Sequence, residues 1–226
     1  MSKQYSPSTN ADRDQILQAI LTAMTSPGVN DLLLTLYNNL LMADLDAYSA
    51  AREAWTKCKS AAREASDAAR AADARFDRDM REFSATVRDA EGRATPSVVA
   101  ELLGGMLPSE ITTRSYREEV ARATSLLAQL GQRKSLKYGA AHAEALRAST
   151  TALGVATSAK EEADRAMRAA GGVLTTTKVS FDRSYMKLVM AAKASVPKET
   201  FDAVFPCFVR VVVKGAEGKE VNAPPT

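Results

Sequence analysis

Side chains able to carry out catalytic or metal chemistry are sparse in this 226-residue chain. His142 is the single histidine, which excludes a histidine-based metal cluster and leaves at most one His–carboxylate pair. It lies among Ala140, Ala141 and Ala143 and reads as a surface or boundary residue of a helix. Cys58 and Cys207 are the only cysteines, and both sit in apolar surroundings where a buried, inert thiol is expected. The doublets Gly104-Gly105 and Gly171-Gly172 lack the flanks of a phosphate-cradling loop. Acidic residues gather at Asp44 and Asp46 and again at Glu161, Glu162 and Asp164. No Glu-x-x-His accompanies them, so a di-metal bundle is ruled out and solvated helix faces are expected. The sequence thus assigns no catalytic, cofactor-binding or metal-binding residue, no cofactor and no small-molecule substrate, and the chain does not read as an enzyme.

Partner chemistry is equally restrained. Arg114, Arg117, Arg122, Arg133, Lys134 and Lys137 are interleaved with Glu118 and Glu119, too dilute a basic stripe to track phosphates, so no nucleic-acid partner is expected. Net charge is +3, but residues 1–110 hold 12 basic and 16 acidic residues against 18 and 11 in residues 111–226. Halves of opposite charge attract, within a chain or between chains. Two cysteines make no disulfide framework, the polar stretch Met1 to Asp14 is no secretory signal, and no apolar run spans a bilayer. The expected location is cytoplasmic.

The elements that must position these residues are helical. Alanine and arginine are abundant, and the eight prolines fall outside the longest periodic stretches. From Ala51 to Val87 the apolar residues Ala51, Trp55, Cys58, Ala62, Ala65, Ala69, Ala72, Phe76, Met80, Phe83 and Val87 follow steps of three and four, with one slip between Phe76 and Phe83. That spacing keeps one seam of a helix turned towards a neighbour. Trp55 is assigned to this seam. With no proline or glycine between Asp31 and Glu91, the spacing predicts one helix across the whole span. A second long helix is expected from Tyr116 to Ala170, with a seam through Ala141, Ala145, Ala148, Ala152, Val155, Ala159, Ala163, Ala166 and Ala170 and a break at Gly171-Gly172. Shorter helices are expected at Ile16–Met24, after Pro96 (Val98–Leu107) and after Pro197 (Thr200–Phe205), and a strand at Phe208–Val213.

Phe76-Asp77-Arg78 recurs as Phe181-Asp182-Arg183, 105 residues later, and in both places a helix continues to a proline and a short apolar segment. This points to an internal repeat. The expected fold is all-α: long antiparallel helices forming a coiled-coil-like hairpin or four-helix-type bundle of two internally related units, with a short C-terminal β-strand. The boundaries are 1–11, a disordered N-terminus; 12–110, the first helical unit; 111–207, the second; and 208–226, a strand-like segment and tail.

A non-catalytic structural or protein-interaction role follows, with a protein partner or self-association through the open edge of Phe208–Val213. The alternative is a lipid-surface protein, although a membrane partner is not favoured. In outline alone, with no shared motif, long alanine-rich helices bearing short apolar segments resemble helical pore-forming toxins and granule-coating phasins. That resemblance implies that Val98–Leu107 or Ile16–Met24 would insert.

Overall fold

A computed structural model describes residues 3–4, 10–25, 31–90, 98–132, 140–205, 208–209, 212–214 and 220–222. These are almost entirely helical: α1 (Asn10–Thr25), α2 (Asp31–Leu40), α3 (Met42–Ala90), α4 (Val98–Leu102), α5 (Pro108–Ile111), α6 (Tyr116–Gln132), α7 (Ala140–Ser195) and α8 (Lys198–Val204). Strand β1 (Lys3–Gln4) pairs antiparallel with β2 (Phe208–Val209), and β3 (Val212–Lys214) with β4 (Glu220–Asn222). Of the expected strand Phe208–Val213, Arg210 and Val211 lie outside the described residues, and the remaining parts pair within the chain. The expected disordered segment 1–11 lies mostly outside the described residues.

The expected helix from Asp31 to Glu91 is present as α2 and α3 with a one-residue interruption at Leu41. The hydrogen-bond ladder carries through it: the Leu41 N–H donates to the Tyr37 carbonyl, and the Leu45 N–H to that of Leu41, each at 2.9 Å. Every residue of the predicted seam is buried or half-buried, with Ala69, Phe76, Met80 and Phe83 fully enclosed. Gly104 and Gly105 adopt φ of 71° and 87°, left-handed conformations that glycine accepts without Cβ strain, and they end α4. Ser115 precedes α6, and its N–H (3.3 Å) and hydroxyl (2.9 Å) both donate to the Glu118 carboxylate, so the glutamate reaches back to the start of the helix as in one half of a capping box.

Two expectations about the second half are corrected. The predicted helix from Tyr116 to Ala170 is described as α6 and α7, the residues between them, 133–139, lying outside the described residues. The expected break is absent: α7 runs without interruption through Gly171-Gly172. Each glycine costs roughly 1 kcal/mol relative to alanine, and a helix of 56 residues absorbs that without breaking. The predicted alanine seam of α7 is also displaced. Ala141, Ala148, Ala152, Val155, Ala159 and Ala166 are exposed. The stripe turned inward instead runs Ala143, Leu146, Thr150, Leu153, Thr157, Lys160, Asp164, Met167, Gly171, Leu174, Lys178, Phe181, Tyr185, Leu188 and Ala192, every one buried or half-buried. Its steps alternate three and four without a slip, the heptad spacing of a helix facing a neighbour along its length.

The chain divides into two compact units, Met1–Ala54 with Gly171–Thr226, and Trp55–Ala170. The physical reason is that α3 and α7 are long enough for each to supply residues to both units. In the first unit, Ile16 and Ile20 of α1, Leu33 and Tyr37 of α2, Leu45 and Tyr48 of α3, Phe181, Tyr185 and Leu188 of α7, and Phe201 and Phe205 form one core. Tyr48 stacks on Phe181 at 5.1 Å between centroids, and Phe201 on Phe205 at 4.8 Å; such pairs contribute about 0.5–1.5 kcal/mol beyond the area they bury. In the second unit, Phe76, Met80, Phe83 and Val87 meet Val99, Leu102 and Leu103, Ile111, Ala123, Leu126 and Leu130 of α6, and Leu146 and Leu153 of α7.

Two substitutions probe this packing. Phe76→Ala empties a fully buried ring position and should cost about 3 kcal/mol or more in chemical denaturation. A Cβ at Gly172 meets nothing within 4 Å, so Gly172→Ala should stabilise by about 0.5–1 kcal/mol through helix propensity. A loss of stability there would show that α7 needs the glycine.

Candidate functional site: a buried carboxylate cluster

Most residues singled out by type occupy ordinary structural positions. His142 is half-buried on α7, and Cys58 is a half-buried free thiol on α3 rather than a fully enclosed one. Cys207, Arg133, Lys134 and Lys137 lie outside the described residues. Trp55 is half-buried, with the Lys59 ammonium 5.0 Å from its ring centroid. Asp44 accepts a hydrogen bond from the Ser184 hydroxyl, whereas Asp46 is exposed. Glu161 pairs with Arg117, and Asp164 with Lys160 at 2.7 Å. Glu162 is exposed. The two pairs border a shallow cavity of about 350 Å³ at the start of α6, also lined by Arg114, Ser115, Tyr116 and Thr157. Glu161 and Asp164 already neutralise two of its cations.

The unusual chemistry lies where no reading of residue types placed it. Asp73 and Asp77 stand one helical turn apart on α3, half-buried beside the seam residues Ala72 and Phe76. Facing them from α6 is Glu119, 1% exposed. One carboxylate oxygen from each of the three lies within 4.8 Å of the other two. Asp73 Oδ1, Asp77 Oδ1 and Glu119 Oε2 are buried and make no hydrogen bond. α6 brings the glutamate inside because its apolar stripe, Tyr116, Val120, Ala123, Leu127 and Leu130, places position 119 on the inward face.

Three carboxylates so placed cannot all carry charge at low cost. Burial, reinforced by the negative charge of Asp73, a hydrogen bond shared with Asp73 and the charge of Asp77, pushes Glu119 up to about 8. Burial also raises Asp77, again with Asp73 adding to the effect and Arg81 opposing it. The first unit handles a comparable burden differently. Asp182, which follows the core residue Phe181 as Asp77 follows Phe76, is held by both arms of Arg13, with Nε donating at 2.8 Å. Arg13 is only 2% exposed, whereas the Asp182 side chain keeps 28% of its surface in water, so the pair is shielded on the arginine's side alone. Asp14 is gripped similarly by Arg52. A cluster of one sign in one unit thus contrasts with matched ion pairs in the other.

Comparison with known protein families, curated proteins and solved structures finds no match to this chain.

The raised Glu119 fixes the sign of a pH effect. Its proton is held more tightly in the folded chain than in the unfolded one, where the ordinary value of 4.5 applies. The resulting stability is complete below about pH 4.5 and is lost as pH rises through about 8. Thermal and urea melts in EDTA should therefore show stability falling from pH 5 to pH 9. Glu119→Gln, which keeps the shape of the protonated acid, should remove that slope and be more stable at pH 8 by roughly 2–4 kcal/mol. Parallel pH profiles for the two proteins would mean that Glu119 is not the group responsible.

Proposed function

We propose that this chain is a non-catalytic structural or protein-interaction protein, a helical bundle or coiled-coil-like hairpin of two related units that presents long helical faces to a protein partner or to another copy of itself in the cytoplasm. The observation that carries the reading is the burial pattern of α3 and α7. Over 49 and 56 residues respectively, one stripe is turned inward while most of the positions between are exposed.

The relation between the units is supported by more than the repeated Phe-Asp-Arg. Both phenylalanines are core residues, Phe76 in one unit and Phe181 in the other. The buried or half-buried pair Asp44 and Ser184 corresponds, at the same separation of 105 residues, to Ser149 and Asp79, the same two residue types exchanged and again enclosed. Each phenylalanine is followed, past a proline, by a short helix that closes its unit: α4 supplies Val99 and Leu102, and α8 supplies Phe201 and Val204.

The lipid-surface alternative draws less support. No helix among the described residues is long and apolar enough to cross a membrane. The segments that would have to insert are occupied: Val99, Leu102 and Leu103 belong to one core, and Ile16 and Ile20 to the other. Among the described residues, β2, β3 and β4 each pair with a single strand, which leaves self-association by strand addition open to test.

Co-sedimentation with phosphatidylcholine–phosphatidylserine vesicles, run beside light scattering of the full chain and of a chain ending at residue 207, distinguishes these readings. The full chain is expected in the supernatant, and the truncated chain at lower order if residues 208–226 join copies. Pelleting with vesicles would overturn the proposal in favour of a lipid-surface role.

A further inference from the structure

We propose that Asp73, Asp77 and Glu119 form a binding site for a hard divalent cation, calcium rather than magnesium. The inference goes beyond the non-catalytic reading and does not depend on it. Three observations converge. The donor set is all carboxylate oxygen with no nitrogen or sulfur, which selects calcium, magnesium or manganese over zinc or copper. The three oxygens lie within 4.8 Å of one another. The centre of an equilateral triangle of that side is about 2.8 Å from each corner, close to the ~2.3–2.6 Å of calcium–oxygen bonds. Glu119 is 99% enclosed beside the two aspartates, and its Oε2 makes no hydrogen bond, a buried acceptor that water would otherwise have to satisfy.

Charge makes the same case. Opposite Asp182, α1 supplies the guanidinium of Arg13; opposite Asp77, α6 supplies a third carboxylate in place of a cation. A dication would neutralise two of the three negative charges, and Arg81, whose charge already favours ionised Asp77, offsets the remainder. Calcium is favoured over magnesium because the site is recessed. Calcium accepts flexible, bidentate carboxylate coordination, whereas magnesium keeps much of its water and demands a near-octahedral shell.

The test uses the full chain, stripped with EDTA and exchanged into buffer at pH 7.5, titrated calorimetrically with calcium, magnesium or manganese chloride and melted in each. One calcium per chain is expected, with a rise in Tm of about 5–10 °C at a hundredfold excess over Kd. Glu119→Gln and Asp77→Asn should each weaken calcium binding at least tenfold, while the exposed-site control Glu144→Gln leaves it unchanged. Helicity by circular dichroism identifies any variant that has simply failed to fold, and the remaining variant then decides. No calcium heat or Tm shift at millimolar metal would overturn the site, as would binding indifferent to both substitutions. A larger response to magnesium than to calcium would overturn the choice of ion.

Discussion

The structure depends on one constraint: a helix of 50 residues or more must turn one continuous stripe away from water. Isolated helices gain little from backbone hydrogen bonding alone, so their stability comes from the face they bury. In α7 that face keeps heptad spacing from Ala143 to Ala192. Its two ends are bulky, with Leu146 and Leu153 at one and Phe181, Tyr185 and Leu188 at the other. Between them come Thr157, Lys160, Asp164 and Lys178, which are buried or half-buried. Bulky residues concentrate the apolar burial at the ends, while long polar side chains in the middle cover the stripe with their stems and keep their charges wet. The two compact cores are this distribution seen in three dimensions.

How much of this was legible depended on residue type. The seam of α3 could be read because Phe76, Met80, Phe83 and Val87 fix its phase, and the small residues then fall into step. In α7 the alanines misled. Alanine is equally at home inside and outside, so a chain of alanines at helical spacing sets no phase. The true stripe passes through threonine, lysine and aspartate, which pattern reading counts as outward-facing. Glycine misled in the opposite sense: Gly171-Gly172 suggested a break, yet propensity is overridden in a helix anchored at both ends.

The carboxylate cluster was missed for a related reason. Glu119 follows Tyr116 by three residues and precedes Ala123 by four, which places it on the apolar stripe of α6. That signal was present in the spacing, but charge took precedence over position. Nothing in the sequence announces that α6 faces Asp73 and Asp77, since that pairing is tertiary. Buried groups of one sign are rare because they must be protonated or neutralised. Arg13 with Asp182 and Glu119 with Asp77 are two answers to one problem: a polar residue set beside a core phenylalanine and enclosed by a neighbouring helix.

The division into units also bears on the order in which the protein can assemble. Trp55–Ala170 is contiguous, so its core can close while the remainder of the chain is still being made. The other unit joins Met1–Ala54 to Gly171–Thr226, and its early helices must wait for Phe181, Tyr185 and Phe201. Until then Ile16, Ile20, Leu33 and Leu41 lack the phenylalanines of their core, and closing so long a loop carries an entropic penalty that folding of the inner unit reduces. Synthesis from the N-terminus therefore leaves the first helices of this protein among the last to find their place.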